Sequence, residues 1–139
     1  MSENSGNPFD GAPIIFAYTR AMAIADGVLR VMKEAPNHGW KIPVVCTERV
    51  WNALVACSDS TAESMGQWVR EATILRRAFL AAKAKTATER AGVPDAQPDR
   101  LDFYVPDAEG RDVQLYMLIH PDDDGSFRPV GTIMYPDED

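Results

Sequence analysis

Cysteine is scarce in this chain: Cys46 and Cys57 are its two thiols among 139 residues. Their spacing fits neither a zinc site nor a disulfide framework. The plain expectation is two small hydrophobes, buried or half-buried; a bridge between them in space stays open. Histidine is equally scarce, at His38 and His120, and no pattern couples either ring to a serine or cysteine nucleophile. No glycine-rich loop follows a strand pattern, which removes the usual cradle for nucleotide phosphates. Apolar runs are strand-sized, too short to span a bilayer. Residues 1–13 lack the basic start and apolar core of a secretory signal, so a cytoplasmic protein is expected. No cofactor, metal site or catalytic residue is predicted.

What is present describes one domain. The apolar share of 45% is that of ordinary globular proteins, and a chain of this length buries a core without staples. Residues 1–13, rich in Ser, Asn, Gly and Pro, read as a flexible leader. Residues 14–139 read as a single α+β domain with a mobile connection near 86–100, where Gly92, Pro94 and Pro98 fall. Charge is uneven. From Asp95 to Asp139 there are 12 acidic and 3 basic residues, while the remainder is slightly basic and the whole carries −7. Such asymmetry steers partners.

Local patterns supply the elements. Residues 14–18 suit a short strand, and Thr19 is placed to cap a helix through Ala25, which Asp26-Gly27 ends. Val28 to Met32 suits a strand, and Trp40 to Cys46 reads as extended because Pro43 restricts Ile42. Thr47 is a second cap, ahead of an apolar stripe of Val50, Trp51, Leu54 and Val55. Ser60-Thr61-Ala62-Glu63 is a capping box, followed by Met65, Trp68, Ala72, Leu75, Phe79 and Ala82 at helical spacing to about Lys85. All three tryptophans, Trp40, Trp51 and Trp68, are expected in the core. The period then becomes two: Leu101, Phe103 and Val105, then Val113, Leu115, Met117 and Ile119, then a strand from Phe127 to Tyr135 whose Pro129 marks an edge or an end. The expected fold class is α+β, an antiparallel C-terminal meander packed with a long amphipathic helix and shorter N-terminal helices.

Four groups are candidates for function, each with a plainer reading beside it. Asp122, Asp123 and Asp124 follow His120 and could hold a cation, but consecutive acids without a distant glutamate are not an EF-hand loop, and an exposed hairpin turn at Asp124-Gly125 explains them. With Asp137, Glu138 and Asp139 they could form a partner-binding acidic surface that imitates phosphates, or simply a solvated end. Arg76, Lys83 and Arg90 recur every seven residues, as a basic stripe or an exposed helix face. Tyr18 and Arg20 could stand at the mouth of a pocket, or pack and be solvated.

Phe16-Ala17-Tyr18-Thr19-Arg20-Ala21, continued by Ala23-Ile24-Ala25-Asp26-Gly27-Val28-Leu29, resembles the opening motif of an uncharacterised bacterial family encoded on plasmids and other mobile elements. Pro43-Val44, Val50-Trp51 and the ending from Thr132 to Asp139 add to the likeness, while Val31 stands where that family is expected to carry an aspartate. The resemblance implies a mobile-element accessory protein and carries over no catalytic residue. Together with the acidic back third, it leads to the expectation of a non-enzymatic protein that binds a host or mobile-element protein, for instance an inhibitor of restriction or CRISPR machinery. Direct nucleic-acid binding is not expected. A small enzyme with an arginine/carboxylate pocket is the alternative, and a self-associating structural protein is the third.

Overall fold

The computed structural model describes residues 18–56, 63–94, 97 and 99–138. The leader, the expected strand up to residue 17, Cys57, the first three residues of the capping box and Asp139 lie outside the described residues. The protein is α+β, with a long helix against a mostly antiparallel five-stranded sheet.

Thr19 caps α1 (Arg20–Ala25) as expected: it is extended, and its Oγ1 accepts from Met22 N at 3.1 Å. Gly27, at φ +81°, ends that helix and turns the chain into β1 (Leu29–Val31). A 3-10 turn (Ala35–His38) separates β1 from β2 (Val44–Thr47), its antiparallel partner. The expected extended stretch is thus strand only from Val44 onward. Thr47 caps α2 (Glu48–Val50), its Oγ1 accepting from Val50 N, and α2 widens into a π-helical turn at Trp51–Ala56. The helix α3 (Glu63–Arg90) follows, then β3 (Arg100–Pro106), β4 (Asp112–Pro121), β5 (Pro129–Met134) and a closing 3-10 turn (Pro136–Glu138).

The three last strands form the expected meander. Strand order is β1-β2-β5-β4-β3, and β2 lies parallel to β5, with Val45 opposite Thr132. β5 is therefore the middle strand, and Pro129 stands at its first residue, where a missing N–H costs least. The β4–β5 loop is wider than a dipeptide turn: Asp122 N donates to Arg128 O, and the positive backbone angles fall at Gly125 and Phe127 rather than at Asp124.

One sheet face carries Val44, Cys46, Leu101, Phe103, Val105, Leu115, Met117 and Ile133 into a core shared with Ile74, Leu75 and Ala78 of α3. Two expectations about α3 need correcting. It continues past Lys85 to Arg90, into the stretch read as a connection, because no stop occurs before Gly92; there φ is +87° and Val93 N closes on Thr88 O. Trp68 is not in the core: it is 53% exposed, near the helix start, beside Glu34 rather than against the sheet. Trp40 is buried and Trp51 partly so.

β3 is an edge strand, and two of its outward carbonyls, those of Arg100 and Tyr104, are covered. Ile119 N donates to Asp99 O, so by antiparallel alternation Arg100, Asp102 and Tyr104 face away from β4. Lys85 Nζ donates to Arg100 O at 2.8 Å and Arg77 Nη1 to Tyr104 O at 3.2 Å. Pro106 has no N–H to offer. Charged side chains on an edge block strand addition by another chain. The Arg77→Ala/Lys85→Ala variant is expected to self-associate at lower concentration than the parent in sedimentation velocity; identical profiles would show that these two side chains do not guard the edge.

Candidate functional site

The connection between β1 and β2 builds a cleft. Met32 N donates to Val44 O, continuing the β1–β2 pairing, and Ala35 N then turns back to Met32 O. Gly39, at φ +94°, ends the 3-10 turn, and both Gly39 N and Trp40 N close on Ala35 O. Trp40 drives into the core: its Nε1 donates to Leu75 O of α3 at 3.1 Å, and its ring meets Phe79 edge-on at 5.9 Å between centroids. The connection is thereby pinned to α3. Between it and the start of α1 lies a cleft of about 590 Å³, a size that takes a small ligand or the anchor of a peptide.

Arg20, Lys33 and Lys41 supply cations to this cleft, while Val31, Met32, Trp40 and Ile42 are among its apolar walls. Among the described residues no carboxylate, thiol, hydroxyl or imidazole lines it. This lining can hold an anion attached to an apolar body. Its described residues offer no general base other than lysine and no paired nucleophile.

Arg20 is fixed by the β4–β5 loop. Its backbone N donates to Asp123 Oδ2 at 2.8 Å, and its Nη1 lies 3.4 Å from Asp122 Oδ2, with both side chains of that pair 14% exposed. Its Nε is buried without a hydrogen-bond partner. Tyr18 is half-exposed and does not line the cleft; its hydroxyl donates to Asp26 Oδ2 at 2.7 Å, which pushes the phenol pKa up. Of the two residues named from sequence for a pocket, Arg20 is there and Tyr18 is not.

The acids named as a surface are divided. Asp122, Asp123 and Asp124 sit in the loop before β5, and Asp137 and Glu138 follow its far end. At strand rise this separates the two groups by roughly 20 Å. Each described acid also has a partner inside the chain. Asp124 accepts from Ser126 N and Oγ, bonds that hold its carboxyl below the usual range, with Arg128 beside it. Asp137 pairs with Arg49 at 2.7 Å, which lowers its pKa. Glu138 accepts from Thr47 Oγ1 and Tyr135 N. The basic residues Arg76, Lys83 and Arg90 are exposed along α3.

Two groups outside the cleft bear on chemistry. His120 Nε2 lies 2.9 Å from Thr132 Oγ1, and its Nδ1 is 3.1 Å from Pro121 O. The two residues sit close to one another across β4 and β5, a pairing invisible in sequence because it depends on register. The Cys46 thiol is fully buried, and burial pushes its pKa up to about 12, so it stays a protonated thiol and a core residue. Among the described residues no group of three His, Cys, Asp or Glu side chains is arranged to hold a metal ion. No described helix is long and apolar enough to cross a membrane.

Sequence reasoning missed Lys33 and Lys41. The available signal was the long connection between two short strands, with a lysine near each end, Lys33 beside Val31 and Met32 and Lys41 beside Trp40 and Ile42. Compared with known protein families, curated proteins and solved structures, the chain matches none.

Proposed function

We propose that this chain is a non-enzymatic accessory protein that acts by binding a partner protein, and that the cleft beside Arg20 receives a carboxylate-bearing segment of that partner. The observation that carries this reading is the composition of the lining: three cations set around apolar walls, with no acid or hydroxyl among the described residues that form it. Arginine and lysine recognise a carboxylate by charge-assisted hydrogen bonds, and the apolar walls bind the body that bears it. The net charge of −7 favours a local acidic segment over a long polyanion, because the overall field of the protein repels nucleic acid. The acids at the two ends of β5 serve internal contacts and are the weaker candidates for the binding surface. The link to a bacterial mobile element, and to inhibition of a host defence system, rests on the opening motif around Arg20. A small enzyme using the Arg20–Asp122 pair is the second reading, motivated by their approach at 3.4 Å.

The test is capture from bacterial lysate with three baits: the parent, Lys33→Glu/Lys41→Glu, and Asp137→Asn/Glu138→Gln. The expected result is a protein retained by the parent and the amide bait and lost from the charge-reversed one. A protein lost from the amide bait alone would move the binding surface to the end of the chain and overturn the cleft reading.

A further inference from the structure

Arg20 poses a question that the rest of the fold does not answer. Arg20 lines a cleft whose other cations, Lys33 and Lys41, are exposed. Arginine normally meets a carboxylate with two parallel bonds. Here the match is poor: one nitrogen reaches Asp122 Oδ2 at 3.4 Å, and Nε is buried with no acceptor at all. A buried N–H without a partner costs free energy that a better-placed acceptor would recover. Asp122 itself comes from the β4–β5 loop, 102 residues away in sequence, and it does not line the cleft. Its neighbour Asp123 takes the backbone N–H of Arg20 and leaves the guanidinium alone.

We infer that Asp122 holds the place of the partner's carboxylate at Arg20, so that binding is an exchange of an internal anion for an external one. The inference rests on the cleft reading above and adds its regulation. While Asp122 occupies Arg20, only the fraction of molecules in which that contact is open presents a full set of cations, and the apparent affinity is reduced by that fraction. The incoming group is an oxyanion on an apolar body, and it gains what Asp122 does not provide: a partner for Nε, two further cations and an apolar wall. The long, single contact, which leaves Nε unmatched, makes Asp122 a poorly fitted anion, which is what a replaceable one requires.

Two fluorescent probes separate the anion from the apolar body: 8-anilinonaphthalene-1-sulfonate, and N-phenyl-1-naphthylamine, which has the same rings without the sulfonate. Titrated against the full chain, the sulfonate is expected to bind at least roughly tenfold tighter than the neutral dye, and Lys33→Glu/Lys41→Glu is expected to remove that preference. Asp122→Asn, which keeps the shape of the side chain, is expected to tighten sulfonate binding by roughly three- to tenfold and leave the neutral dye unchanged. Asp123→Asn removes the same formal charge nearby and is expected to tighten it less. In an Arg20→Gln background the Asp122→Asn effect is expected to vanish, as a pairwise coupling through Arg20 requires. Equal binding of the two dyes, or a sulfonate preference that survives Lys33→Glu/Lys41→Glu, would overturn the cleft reading. A sulfonate preference lost with the lysines but unmoved by Asp122→Asn, or moved equally by Asp123→Asn, would leave that reading standing and overturn the exchange.

Discussion

Trp40→Ala is expected to lower the unfolding free energy by about 3–5 kcal/mol, the usual cost of truncating a buried tryptophan. Trp40 is buried, its Nε1 donates to Leu75 O, and its ring packs edge-on against Phe79. Removing it empties the space between the β1–β2 connection and α3 and takes away a wall of the cleft. Trp40→Phe retains much of the volume and loses the indole hydrogen bond, so a smaller loss of about 1–2 kcal/mol is expected. Urea unfolding followed by circular dichroism measures both. A loss below about 1 kcal/mol for the alanine variant, less than any large core truncation, would show that Trp40 does not pin the connection.

Gly39→Ala is the second large effect, with an expected loss of about 2–5 kcal/mol. Two causes combine. At φ +94° any side chain is strained, by about 1–2 kcal/mol. An added Cβ would also lie 2.6 Å from Phe79 Cε1, which forces the ring or the turn to move and costs about 1–3 kcal/mol. Gly92 provides the comparison. It has φ +87° but nothing within 4 Å of an added Cβ, so Gly92→Ala is expected to show the conformational part alone. Equal losses at the two glycines in urea titrations would mean that the contact with Phe79 contributes nothing.

Much of the fold was legible wherever a short stretch decides its own structure. Thr19 and Thr47 cap their helices because a threonine hydroxyl needs only the amide three residues on. The meander followed from period two, since Leu101, Phe103 and Val105 must share a face. The parallel pairing of β2 with β5 was not legible. It joins Val44–Thr47 to Pro129–Met134 across most of the chain, and the only local trace is that Val44, Val45 and Cys46 are all apolar, as a strand covered on both faces requires. Trp68 misled because it keeps helical spacing with Leu75, although spacing does not tell how far along a helix its neighbours extend.

The candidate site was legible in one residue. Arg20 was singled out, but Lys33 and Lys41 carry no motif and acquire meaning only when the connection folds over Trp40. The division of the acids between the two ends of β5 was hidden for a similar reason. Their density near the C-terminus is a fact of sequence, whereas their partners, Arg20 for Asp122 and Arg49 for Asp137, lie far back in the chain. Composition revealed that charge was abundant; topology decided which charges were already matched.

The most direct measurement of the central claim is a nuclear magnetic resonance titration of the ¹⁵N-labelled chain with 8-anilinonaphthalene-1-sulfonate, observing backbone amides together with the arginine Nε–H signals. Shift changes are expected to concentrate in residues 31–44 and at the Arg20 Nε–H, with the amides of Asp137 and Glu138 unmoved. Changes concentrated at the acidic ends of β5 or along α3, with the Arg20 signal unaffected, would contradict it.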